Sequence, residues 1–155
     1  MKKIILENRP RGFRASAIVI EDNKILLMRQ IYKDEDFYNI PGGGLENNES
    51  LEQACKREIK EEFNIDINVG RLIYIFDTPS RLNFVFECKY ISGEAQLGGP
   101  EKTRMKSNDQ YFVEWINLDK LKKINLQPTK TKEALLKHLN HKNEPTFYLN
   151  KNGKN

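Results

Sequence analysis

The residue types that can do chemistry are densest in one stretch of this 155-residue chain, Arg57-Glu58-Ile59-Lys60-Glu61-Glu62. The stretch is helical in period, so the first question is which way its carboxylates point. Counted at about 100° per residue from Glu58, Glu62 falls at about 40°, Glu61 at about 300°, Leu51 at about 20°, Ala54 at about 320° and Cys55 at about 60°. Ile59 and Phe63 follow at about 100° and about 140°, with Glu52 a poorer fit at about 120°. Gln53, Lys56 and Lys60 lie on the far side. A charge run that is merely solvated lies opposite the apolar stripe. Here Glu58 and Glu62 interrupt the stripe itself. They are also a like-charge i,i+4 pair, and they sit in the last turns, where the helix dipole disfavours negative charge. A bound divalent cation offsets all three penalties. Carboxylate oxygens and water suit magnesium, which usually serves phosphate substrates. Arg57, one turn before Glu61, is placed to orient a carboxylate.

The elements around that helix follow from simple signals. Ser50 with Gln53 is a capping-box pattern that predicts the helix start, within a span from Glu49 to about Phe63. Pro41-Gly42-Gly43-Gly44 breaks regular structure ahead of it and lets a ligand approach the backbone. It is not a P-loop, because no Gly-Lys-Ser/Thr follows. Ala15 to Ile20 and Lys24 to Gln30 read as a hairpin about Glu21-Asp22-Asn23, and Asp34-Glu35-Asp36 as a solvated turn. Tyr38 to Pro41 is a short extended piece. Ile67 to Asp77 and Arg81 to Ile91 read as strands about Thr78-Pro79-Ser80, the second alternating cleanly between apolar and polar residues. Ser92 to Asp109 is a long polar loop of the kind that is functional or disordered. Tyr111 to Ile116 is a strand, Leu118 to Lys122 a helical turn and Thr131 to Asn140 a helix. The pattern predicts one α+β domain over residues 1–143, a mixed sheet sandwiched by helices, with residues 144–155 a loose Asn- and Lys-rich tail.

Bulk properties narrow the class. The chain is 38% hydrophobic and 31% charged, with one domain's worth of residues. No apolar run nears the roughly 20 residues of a membrane helix. The basic start Met1-Lys2-Lys3 is followed by too short an apolar run for a signal peptide, which leads to the expectation of a cytoplasmic protein. Cys55 and Cys88 form no metal-binding pattern and read as small buried hydrophobes. The net charge of +4 suits an anionic ligand such as a nucleotide. It does not bring the interleaved basic and aromatic residues of a nucleic-acid face. His138-x-x-His141 reads as a helix face and Trp115 as core.

The segment Gly43-x5-Glu49-x7-Arg57-Glu58-Ile59-x-Glu61-Glu62-x-Asn64-Ile65 resembles the Nudix box, G-x5-E-x7-R-E-U-x-E-E-x-G-U, with U a bulky aliphatic. The one departure is Asn64 in place of the final glycine. That position ends the helix in the left-handed region, where Asn is the next-best residue. Tyr38-x-x-Pro41-Gly42-Gly43 resembles the lead-in to the box.

The resemblance implies a Nudix-type α/β/α fold and hydrolysis of a nucleoside diphosphate linked to another moiety. It implies Mg2+ as cofactor, with Mn2+ as a substitute. Glu58 and Glu62 would be the main metal ligands, Glu61 close by or bridging through water, and the Gly43 carbonyl a further ligand. Glu49, Gly42 and Gly44 would support the site, Glu49 by holding Arg57. The general base in such enzymes often sits in a later loop. Glu101, beside Gly98-Gly99-Pro100, is the choice here, and Glu61 its competitor. Lys102 and Arg104 are the expected substrate-phosphate contacts. A nucleotide-sensing domain that has lost hydrolysis is the rival reading, though such domains typically lose box glutamates. Oxidised nucleotides, dinucleoside polyphosphates, nucleotide sugars and RNA 5′ ends all stay open as substrates. Pro79, near a position where ADP-sugar enzymes of the family carry proline, reads as a turn residue. The expected assembly is a monomer or homodimer.

Overall fold

A computed structural model describes residues 11–142 and 147–150 of the chain. Two tight turns shape its first half. Gly12–Glu21 (β1) and Lys24–Tyr32 (β2) are joined by Asp22 and Asn23, at φ 46° and 61°. That backbone twists as a two-residue hairpin requires. Lys33 and Asp34, at φ 47° and 70°, repeat the device and lead into Glu35–Asn39 (β3). The turn expected at Asp34-Glu35-Asp36 therefore lies one residue earlier, and Glu35 and Asp36 pair with Tyr32 and Ile31.

The hairpin matters because its strands part. β1 and β2 are in register at Ile20↔Ile25 and Glu21↔Lys24. Beyond that, β1 runs between Gly42–Gly44 (β4), antiparallel, and Arg81–Ser92 (β6), parallel. β2 runs between β3 and Asp109–Asn117 (β7), antiparallel to both. A cleft opens where the two strands diverge. Asp66–Thr78 (β5) returns antiparallel to β6 through the turn at Pro79 and Ser80. The whole is an eight-stranded mixed sheet.

Helices close both faces. Leu51–Phe63 (α1) starts at Ser50, whose hydroxyl accepts from the Gln53 amide while the Gln53 side chain accepts from Ser50 N. The alternation of β1 turns Ala15, Ala17 and Val19 towards α1, where they are buried with Ala54, Cys55, Ile59 and Phe63. Two alanines in the strand let the helix come close. On the opposite face Ile18, Tyr74, Phe76 and Val85 pack with Ala134 and Leu135 of Thr129–Asn140 (α3). This is the α+β sandwich expected from the sequence. No described helix is long and apolar enough to cross a membrane.

Three local expectations are corrected. The glycines at 42–44 form the strand β4 rather than a break. Their missing side chains let this backbone lie against Ala15 and Ser16 on one side and the Glu58 carboxyl on the other. The loop from Ser92 to Asp109 contains a helix, Gly99–Arg104 (α2). Residues 147–150, assigned to a loose tail, form a strand (β8) parallel to β5. Their backbone pairs with an open sheet edge, a partner that composition does not disclose. The buried residues read as core behave so. The Cys55 and Cys88 sulfurs lie 4.0 Å apart inside the α1 face as free thiols. Trp115 packs edge-on to Tyr90 against that same cluster. His138, expected on a solvated or half-buried helix face, is instead buried, its pKa lowered chiefly by desolvation, while His141 is exposed.

Candidate functional site

Arg57 organises the site. Its Nε and Nη2 donate to the two oxygens of Glu49 at 2.7 and 2.9 Å, and Nη2 also donates to the Gly44 carbonyl at 2.9 Å. Nη1 donates to Glu58 at 2.8 Å and to Glu61 at 3.3 Å. A guanidinium offers donors in a rigid fork, so one side chain ties the loop before α1, strand β4 and two turns of α1 together. The backbone N–H of Glu46 completes the hold on Glu49 at 3.0 Å. Arg57 first, and that amide second, bring the Glu49 carboxyl down to a pKa of about 2. These bonds join Glu49, Arg57 and Gly44, the residues named for support of the site.

Glu58 is 15% exposed and Glu61 is 48% exposed. Gly43 faces Glu58 directly: a Cβ there would collide with its carboxyl. Glycine at 43 is therefore the space that Glu58 occupies. Glu62 is half-buried, and the Gly42 amide donates to it. Burial first, then the proximity of Glu101, push Glu62 up to a pKa of about 8 despite the counteracting charge of Arg14.

The chain brings Glu101 to Glu62 through the end of α1. A helix leaves its last carbonyls without intrahelical partners. Gln96 N donates to the Phe63 carbonyl at 3.0 Å and Gly98 N to the Glu62 carbonyl at 2.9 Å. Gly98 sits so close that a Cβ would collide with the Glu61 carbonyl. Asn64 closes the helix at φ 57° and ψ 26°, the left-handed conformation expected of it. The loop docked there launches α2, whose Glu101 side chain is 16% exposed. Its Oε2 is buried with no hydrogen-bond partner among the described residues.

Glu62 and Glu101 both line a cavity of about 630 Å³ in the cleft between the diverging strands. Arg14, Arg81 and Asn83 line it too, and Met28, Ile40 and Phe76 give it apolar walls. Lys102 and Arg104, expected to face the substrate, are exposed on α2 and line no part of the cavity. Arg104 instead stands 4.0 Å from Glu101 Oε1. The cations on the cavity wall are Arg14, Arg81 and Lys130, which sequence reasoning missed. One signal was available: Arg14 and Ser16 alternate on a strand whose next residue on that face is Ile18, so an arginine and a hydroxyl point the way a core residue does.

The side chains fit a hard cation only in part. Among the described residues, no three His, Cys, Asp or Glu groups converge as a closed cage. The donors near the cavity are nevertheless all oxygen, and one of them, Glu101 Oε2, is buried and unpaired. Glu58 and Glu62 both act on Arg14 as nearby negative charges. Magnesium retains waters and takes phosphate oxygens, so it needs only one or two carboxylates from the protein. The donor set fits that ion.

Comparison with known proteins agrees with this architecture. The NUDIX domain model matches residues 10–137. An ADP-ribose pyrophosphatase of Methanocaldococcus jannaschii is 31% identical over 137 residues, covering 77% of this chain and 76% of that protein. An 8-oxo-dGTP diphosphatase of Buchnera aphidicola is 31% identical over 113 residues, or 70% of this chain and 78% of that one. The crystal structure of a NUDIX hydrolase from Nitrosomonas europaea has the same fold, with a TM-score of 0.70 at 21% identity over 92% of this chain and 81% of that chain.

Proposed function

The chain belongs to the Nudix family, and from that premise we propose that it is a magnesium-dependent pyrophosphohydrolase, cleaving the P–O–P bridge of a nucleoside diphosphate joined to another moiety. The observation that carries this reading is the half-buried Glu62 near the buried, unpaired oxygen of Glu101, at the wall of a cavity large enough for a nucleotide. Two carboxylates kept close together in a partly dry site have no structural use that apolar residues would not serve better.

Glu58 and Glu62 would hold the ion. Bound there, Mg2+ (or Mn2+ in its place) supplies neutralisation of phosphate charge and a more acidic attacking water. Arg57 fixes the Glu58 carboxyl, and Gly43 leaves it room. Glu101 is the general base that accepts the water proton. The water oxygen bonds to phosphorus, the bridging P–O bond breaks, and the departing phosphate keeps the bond pair. Glu61, turned outwards and bonded to Arg57, holds the clamp rather than the proton.

The test is a panel of diphosphate compounds that includes ADP-ribose and 8-oxo-dGTP, assayed with magnesium and with chelator. The expected result is magnesium-dependent release of phosphate or nucleoside monophosphate from at least one of them. Glu62→Gln should abolish most of it in a protein that stays folded. Glu101→Gln should lower kcat roughly 100-fold or more, the usual contribution of a positioned base, and Glu61→Gln far less. A wild type that is inert on the panel yet binds a nucleotide would instead be a sensor.

A further inference from the structure

Ser16 is a polar side chain with no exposed surface, set between two buried alanines in the strand that carries the core. Burying a hydroxyl costs stability unless it is fully bonded. Its bonds define what lies around it. Arg14 Nε is 3.3 Å from Ser16 Oγ, and Ser16 Oγ is 2.8 Å from Asn83 Oδ1. A guanidinium only donates, so the serine oxygen accepts from Arg14 and spends its single proton on the asparagine carbonyl. That order of donors fixes the amide: Oδ1 faces Ser16, and Nδ2, for which no bond to the described residues is recorded, is left for the cavity that Asn83 lines. β4 packs against the same hydroxyl, since a Cβ on Gly42 would strike Ser16 Oγ.

The wall so formed contains donors alone. Arg14 and Arg81 both line the cavity, and the pKa of Arg14 is lowered by burial first and by the Arg81 charge, against the opposing charge of Glu62. Two guanidiniums held together beside an amide N–H group are relieved by an acceptor-rich anion between them. The carboxylates Glu62 and Glu101 line the same cavity.

We propose that Arg14, Arg81 and Asn83 form a subsite for a phosphate of the substrate, and that Ser16 is the positioning residue that aims Arg14 and Asn83 at it. The assignment rests on reading the cavity as the diphosphate site. It makes Ser16 and Asn83 determinants of how tightly a diphosphate is held rather than of how fast it is cut.

Isothermal titration with inorganic imidodiphosphate, which is not hydrolysed at a normal rate, tests this in the magnesium-loaded protein. Asn83→Asp is nearly isosteric and still accepts from Ser16, but it turns a carboxylate oxygen to the cavity. It should weaken binding on the order of tenfold or more. Ser16→Ala, which frees Arg14 and the amide to rotate, should weaken it by a smaller factor. With a hydrolysed substrate both should raise KM more than they lower kcat. Unchanged affinity and KM in both variants, with wild-type activity present, would overturn the subsite and leave the hydrolase reading standing. Loss of imidodiphosphate binding in the variants of a protein that hydrolyses nothing would keep the subsite and sink the hydrolase reading. A wild type that neither binds nor hydrolyses would remove both.

Discussion

At the scale of single residues, Arg57 shows why one charge in the site cannot be exchanged for another. It bonds three carboxylates and a carbonyl with one rigid group. Lysine at this position keeps the charge and loses the fork. Arg57→Lys should therefore leave the protein folded and reduce kcat on the order of 100-fold, the scale of a small misplacement of catalytic groups. The Glu49 carboxyl reports the same change more directly. It is held at about 2 against an ordinary value near 4.5, mainly by Arg57. Its contribution to stability is full above about 4.5 and disappears as pH falls through about 2. In Arg57→Lys the Glu49 titration, followed by NMR, should move up towards the ordinary value. An unmoved titration would mean that Arg57 is not what holds Glu49. The box glutamates and Arg57 were legible because their chemistry is local: one helix, fixed spacing and a face that can be counted. Arg14, Ser16 and Asn83 were not, because what makes them a site is the meeting of β1 with β6, Arg14 pairing with Asn83 and Ser16 with Val85 two residues along.

At the scale of elements, α1 was readable at both ends and its neighbours were not. Ser50 and Gln53 cap the start, and Asn64 closes the end in the left-handed region. For most residues that conformation costs about 1 to 2 kcal/mol. Asn64→Ala should thus destabilise the protein by about 1 kcal/mol in urea unfolding, whereas Asn64→Gly should be close to neutral, because glycine adopts the conformation freely. Equal losses in the two variants would show that the Asn64 side chain, which contacts the Glu94 carbonyl at 3.4 Å, matters more than its backbone angle. β4 and α2 escaped the sequence for complementary reasons. Glycines carry no strand signal of their own, and β4 exists because Ala15, Ser16 and Glu58 require a backbone without side chains beside them. α2 is too short for periodicity to register. It is held by a loop that meets the unpaired carbonyls of α1, so Glu101 was found as a residue while its means of support was not.

At the scale of the whole molecule, the fold creates its site by letting two hairpin strands diverge and by bringing helix carboxylates to the opening. The cost is visible in Glu62. The unfolded chain gives up this proton near pH 4.5, while the folded, metal-free protein keeps it until about 8. The contribution of the uncharged form to stability is therefore full below about 4.5 and is lost as pH rises through about 8. A metal that needs the ionised carboxylate reverses the balance. It should bind with proton release and stabilise the protein more at the alkaline end of this window. In chelator-treated protein the thermal midpoint should fall between about pH 5 and about pH 8, as Glu62 sets it. Glu62→Gln should flatten most of that slope. Magnesium should raise the wild-type midpoint more at the alkaline end than at the acid end. Calorimetry in buffers of different ionisation enthalpy should register the released protons. A slope that survives Glu62→Gln, or magnesium binding without proton release near neutral pH, would mean that the buried carboxylate is not where the metal acts.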